Sequence, residues 1–190
     1  MKSMMKRILL AIAAMAMLGQ VSVLAQSADA KEVKKLREEL AQIAQTNAAI
    51  AKHLETFDEL DFVVFTKQQW ARLHESHAKD ILVHWPDGHT TTGIEKHIED
   101  LAGMFVYAPD TRITEHPIRI GSGNLTAVTG VMEGTFTKPM PIGDGKFIEP
   151  TGKAFKLTMV TIGIWNADGV MNEEYLFWDN LTFMKQLGLQ

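Results

Sequence analysis

The sequence predicts an α+β fold, and three observations predict it. The first half of the chain carries apolar residues at helical spacing. From Pro109 onward that spacing gives way to β-branched runs separated by Gly, Pro and Asn turns. A short helical stretch follows the last of these runs. Helices segregated from strands in this way give α+β rather than alternating α/β. The final stretch, Gly169 to Gly188, organises the rest. It reads as a strand that ends on Asp179 and passes directly into a helix. Residues two apart share a strand face, so Glu173, Tyr175, Phe177 and Asp179 line one face and Glu174, Leu176 and Trp178 the other. The first face holds two aromatic rings and a terminal carboxylate, which suffices for a small pocket with one acid/base group. Asp179 or Asn180 serves equally well as the cap of the terminal helix.

The 190 residues are 46% hydrophobic and 22% charged, with formal net charge -4. This fits one globular domain of ordinary size once the N-terminus is set aside. The mild acidity, with no basic run beyond the first few residues, argues against nucleic-acid binding. The absence of cysteine excludes disulfides, thiolate metal sites and a Cys nucleophile. Residues 1–25 read as a signal peptide: Lys2, Lys6 and Arg7 form the basic region, Ile8 to Leu18 the apolar core, and Val23-Leu24-Ala25 the cleavage site. Ala28-Asp29-Ala30 is a second candidate site. The apolar run is interrupted at Gly19 and Gln20 and is short for a membrane span. The expectation is therefore a soluble periplasmic or secreted protein with no stable membrane span after cleavage.

Residues 26–46 read as a helical extension and 47–190 as the domain. Val33, Leu36, Leu40, Ile43, Asn47, Ile50, Leu54 and Phe57 recur in steps of three and four, an a/d stripe with Asn47 at an a position. Such an Asn favours an in-register two-stranded coil, so a homodimer through this helix is one expectation. A long helix laid on its own domain is the other, preferred for residues 47–60. Thr66-Lys67-Gln68-Gln69 is a capping box that predicts a second helix, with Trp70, Leu73 and His77 on one side and its end near Asp80. Ile81 to His84 is a short strand, turned by Trp85-Pro86-Asp87-Gly88. Thr92 and Glu95 form another capping box. They open a third helix to about Phe105, with Ile94, Ile98, Leu101 and Phe105 buried. Strands are predicted over Arg112–Ile120, Leu125–Phe136 and Ala154–Trp165, and the Asp168-Gly169 turn leads back into the final strand.

The ordered set of motifs carries a resemblance. Glu173-Glu174-Tyr175, Trp178-Asp179-Asn180 and Gln186-Leu187-Gly188 close the chain. Before them come His84-Trp85-Pro86-Asp87-Gly88, Gly93-Ile94-Glu95, Pro109-Asp110 and Pro150-Thr151-Gly152-Lys153. Together, over roughly residues 47–190, they resemble the SnoaL-like branch of the NTF2-like superfamily, which includes polyketide cyclases and ester cyclases. The resemblance implies a cone-shaped barrel, with a curved antiparallel sheet packed on three helices around an apolar pocket. It also implies cofactor-independent acid/base catalysis of a ring closure, with the catalytic Asp on a late strand. Asp179 is the position that matches.

The expected site therefore has Asp179 as proton carrier and His84 as its partner. His77, Trp85, Tyr175, Phe177 and Trp178 line the pocket around a small apolar carbonyl compound. Burial in an apolar pocket would raise the Asp179 pKa toward neutrality. His84 serves equally well to hydrogen-bond its own turn. His74 and His77, three apart on the predicted helix, share a face, and His84 and His89 lie near in sequence. Their spacing matches no zinc pattern, and no metal or other cofactor is expected. Glu173 and Glu174 stand on opposite faces and cannot form a dyad, which leaves one for the pocket and the other for solvent or a lysine. His53, His97 and His116 read as surface or packing positions. Two functions fit this sequence. One is an acid/base enzyme, that is a cyclase, isomerase or hydrolase. The other is a non-catalytic small-molecule-binding or dimerisation module of the same fold.

Overall fold

The computed structural model describes side chains from Asp29 to Gln190 and backbone from Lys2. The signal peptide expected over residues 1–25 lies outside the fully described residues. The chain divides into two compact units, Met1–Thr46 and Asn47–Gln190. Helix α1 (Lys2–Glu59) runs through the first and into the second. Within the first unit, the stripe of Val33, Leu36, Leu40 and Ile43 is exposed. Among the described residues no helix is long and apolar enough to cross a membrane.

In the second unit α1 buries Phe57 and widens into a π-helical turn over Leu60–Phe65 that buries Leu60, Asp61, Val64 and Phe65. Thr66 does not open a helix. Its hydroxyl donates to Asp61 O at 2.7 Å and accepts from Ile113 N at 3.0 Å, so it closes the π turn and ties it to the sheet. Gln68 then takes a positive φ of 52°, which ends helical geometry for a non-glycine residue. The segment expected to be the second helix is instead a 3-10 turn, Trp70–Glu75, followed at once by strand β1 (His77–His84). His77 is thus a strand residue and shares no helix face with His74.

The remaining elements are β2 (Thr90–Thr92), α2 (Ile94–Tyr107), β3 (Arg112–Ile113), β4 (Ile118–Ser122), β5 (Leu125–Thr135), β6 (Met140–Pro141), β7 (Phe147–Ile148), β8 (Ala154–Trp165), β9 (Met171–Phe177) and α3 (Asn180–Leu187). Thr92 does not cap α2, because it is paired with Leu82 in the sheet. Gly93 holds the cap position with φ 99°, a conformation that L side chains rarely adopt. The strand expected over Arg112–Ile120 is split into β3 and β4 around His116-Pro117. Proline has no N–H for the ladder.

The main sheet has the order β2-β1-β9-β8-β5-β3, with β4 also on β5. It is antiparallel except at one place: β1 pairs with β9 in parallel. That pair joins the first strand of the domain to the last. The long β5–β8 ladder presents Val128, Met132, Leu157, Met159 and Trp165 inward, and Phe57 lies against Trp165. In β9 the register slips by one residue, with Ile164 opposite Glu173 but Trp165 opposite Met171. Asn172 is therefore a bulge, and beyond it Glu174 and Leu176 point into the core while Glu173 and Tyr175 do not.

Candidate active site

Helix α2, the π turn and the inner face of the sheet enclose a cavity. Its wall is mostly apolar, with Leu60, Phe65, Leu101, Ile113, Leu176 and the indoles of Trp85 and Trp178. Met104, Met132 and Met159 complete it. Methionines fill irregular gaps and repack readily, so the space they bound is adaptable. That space is ≈ 40 Å³, room for a few waters. The polar residues on the wall are Asp61, His77, His97, Thr161 and Glu174.

Three of these converge. His97 Nε2 lies 3.2 Å and His77 Nε2 3.7 Å from Glu174 Oε2. The three side chains are 2%, 1% and 4% exposed. Each comes from a different element: His77 from the start of β1, His97 from the first turn of α2, and Glu174 from β9. Behind His77, Ser76 Oγ donates to Leu73 O at 3.2 Å and lies 2.9 Å from His77 Nδ1. With its proton on Nδ1, a neutral His77 donates to this serine and turns its Nε2 lone pair toward Glu174, whereas with a proton on Nε2 it faces the carboxylate as a donor. Burial works against a charge on Glu174. The imidazoles of His77 and His97 outweigh it and hold the carboxyl well below the usual range. His77 Nε2, His97 Nδ1, Glu174 Oε2 and Trp178 Nε1 are all buried without a hydrogen-bond partner, a rare condition for interior polar atoms.

A second cluster reaches the cavity from the π turn. His116 Nε2 lies 2.8 Å from Asp61 Oδ2, and its Nδ1 lies 2.8 Å from Asp58 Oδ1. Both ring nitrogens face carboxylates, so both donate when the ring is an imidazolium. Asp58, 30% exposed, continues to Arg119 at 2.9 Å. The row Arg119–Asp58–His116–Asp61 thus runs from the solvent edge to the cavity wall. Burial raises the Asp61 pKa, His116 offsets that only in part, and the negative charge of Glu174 adds to the rise. For His116, burial alone would lower the pKa. Asp61 and Asp58 outweigh it and raise it.

The family model of the SnoaL-like polyketide cyclases matches residues 51–187. The chain belongs to this family. Solved structures share its fold. A protein assigned as a SnoaL-like polyketide cyclase from Jannaschia sp. CCS1 superposes with TM-score 0.63 at 20% identity, covering 74% of this chain and 94% of that one. IdmH from Streptomyces antibioticus, assigned as a polyketide cyclase, gives TM-score 0.57 at 24% identity over 76% and 99% of the two chains. TsrD from Streptomyces laurentii gives 0.59 at 17% over 75% and 97%. No curated protein matches the sequence significantly.

In this SnoaL-like cavity the expected site residues divide. His77, Trp85 and Trp178 line it. Asp179 does not: it is the exposed N-cap of α3, accepting from Thr182 N at 3.0 Å and from Thr182 Oγ1 at 2.6 Å. The Thr182 hydroxyl and N–H lower its pKa, the opposite of the expected shift. His84, Tyr175 and Phe177 lie on the other face of the sheet. There His84 Nε2 is 2.8 Å from Glu173 Oε1, Tyr175 donates to the same oxygen at 2.7 Å, and the two rings stack at 4.0 Å. The carboxylate that the last strand turns inward is Glu174. Asp61, His97 and His116 were not nominated by the sequence. For His97 a signal existed, since it stands four residues before Leu101 and seven before Met104 on the stripe that lines the cavity.

Proposed function

We propose that this protein is an acid/base enzyme, of cyclase, isomerase or hydrolase type, acting on a small apolar carbonyl compound in the cavity. Asp61 is the proton carrier and His116 its partner. The indole N–H of Trp178, buried on the cavity wall without a partner, holds the carbonyl oxygen. The observation that carries the reading is Asp61 itself, a carboxyl in an apolar wall with a raised pKa and a polar partner 2.8 Å away. A base works best when its pKa lies near the working pH. The role expected of Asp179 thereby passes to a residue that meets its physical requirements. The basic and apolar regions of residues 1–25 support export to the periplasm or medium, with cleavage after Ala25 or Ala30.

The test begins with mass spectrometry of small molecules released from gently purified protein. Turnover of the compound recovered is then followed. Asp61→Asn lowers kcat by about 10²–10⁴-fold, while Asp179→Ala leaves it unchanged. Wild-type turnover in Asp61→Asn sinks the assignment. One observation favours a second reading, a non-catalytic binding module: the carboxylate that the sequence nominates as proton carrier is a solvent-facing helix cap. Recovery of one compound that stays unchanged after long incubation with excess protein selects that reading.

A further inference from the structure

The convergence of His77, His97 and Glu174 asks for a positive charge. In the neutral tautomer that gives its proton to Ser76, His77 Nε2 presents a lone pair. Glu174 Oε2 is a carboxylate oxygen with no hydrogen-bond partner. One ligand atom from each of the three residues falls within 4.8 Å of the others, and all three residues are buried. In that tautomer, and without a cation between them, the His77 lone pair and the Glu174 carboxylate face one another in a low-dielectric wall, an arrangement that costs free energy.

We propose that His77, His97 and Glu174 form a binding site for one divalent first-row transition-metal ion. Four features support it. Two imidazoles and a carboxylate are a recurrent three-ligand set that leaves a position open. Bonds of about 2.0–2.1 Å give tetrahedral ligand–ligand edges of about 3.4 Å, and the Glu174–His97 and Glu174–His77 separations of 3.2 and 3.7 Å bracket that length. Ser76 accepts the distal N–H of His77, the outer-shell contact that fixes a ligating histidine in its tautomer. Finally, each ligand sits on a separate element of the scaffold, a strand, a helix and a strand, so the set is pre-positioned. The proposal goes beyond the proton-transfer reading and stands without it, because it concerns what three ligands bind and not what Asp61 does.

The experiment uses the untagged full chain, stripped with EDTA and titrated with Co²⁺ while its visible d–d absorption is followed, with Zn²⁺ as competitor. The expected result is one saturable equivalent per chain, displaced by Zn²⁺. Glu174→Gln and His97→Ala each weaken it by more than the about 10–100-fold typical of losing an outer-shell contact. His74→Ala and His89→Ala, at exposed positions, leave it unchanged. Absence of a saturable equivalent overturns the proposal, as does binding that survives both ligand variants or is lost in the His74 or His89 variant. Should the ligand variants fail to fold by circular dichroism, imidazole ¹⁵N spectra of the wild type decide. Stoichiometric Zn²⁺ shifts the His77 and His97 signals and leaves those of His84 and His89, and unmoved His77 and His97 signals overturn the site. Metal binding with normal turnover in Asp61→Asn refutes the proton-transfer reading alone. Loss of turnover in that variant with no metal binding refutes the metal alone.

Discussion

His116 sits between Asp58 and Asp61 with its ring shielded by Phe57 and Phe62. This makes stability depend on pH in a definite direction. The folded-state pKa of His116 is raised above 6.5, so its contribution is complete below 6.5 and is lost as pH rises through the raised value. Asp61 is raised as well. Its ionisation is therefore costly in the folded state, and it also favours the folded state at lower pH. Glu174 works the other way, contributing above 4.5 and losing that contribution as pH falls through its depressed pKa. The expected outcome is a Tm that declines as pH rises above 6.5, and a shallower decline in His116→Gln. Thermal melts at fixed ionic strength check it, and a flat wild-type profile contradicts it. The residues of this cluster were hidden in the sequence for a physical reason. Asp61 points inward because a π turn re-aims the helix, and His116 because Pro117 interrupts a strand. Neither displacement follows from apolar periodicity. Alternation did separate Glu173 from Glu174 correctly. It could not say which face is inside, since each face offers one glutamate and aromatic rings.

Among elements, the long strands β5 and β8 and the final hairpin were legible, because β-branched runs bounded by glycine turns have few alternatives. Of the two capping boxes, the one at Thr66 was misleading, and the one at Thr92 located helix α2 but not its cap, which is Gly93. Thr66 spends its hydroxyl on the π turn and β3, and Thr92 is held in the sheet. A cap motif states what a side chain is able to do, and tertiary contacts decided otherwise. Glycines on the inner face of the sheet let neighbouring side chains pack closely against its backbone. At Gly163 an added Cβ would overlap the Met171 sulfur and lie 3.1 Å from Phe57 Cε2. At Gly130 the nearest atom would be Met159 Cγ at 3.3 Å. Gly163→Ala is accordingly expected to cost about 1–3 kcal/mol and Gly130→Ala less, as urea denaturation measures. Equal losses at the two positions would refute this account of the close packing.

For the whole molecule, the family and its α+β architecture were readable from the order of weak motifs, none of which is decisive alone. The parallel β1–β9 contact was not, since a sequence pattern does not reveal which strands are neighbours. The exposed a/d stripe of Val33, Leu36, Leu40 and Ile43 carries a prediction at this scale. A chain starting at Gln26 sediments as a dimer and one starting at Asn47 as a monomer. An unchanged oligomeric state on analytical ultracentrifugation ends the coiled-coil idea. The parallel pairing also has a consequence in time. His84 and Glu173 meet across 89 positions of sequence, and the cavity wall is completed by the last strand of the chain. Non-local pairings of this kind form late, after their loop-closure entropy has been met. During synthesis or export, helices α1 and α2 and the long central strands β5 and β8 have all emerged while the cavity still lacks one side. The chain then shows open apolar surface to its surroundings until its final residues arrive, and a holding chaperone would have its window of engagement there.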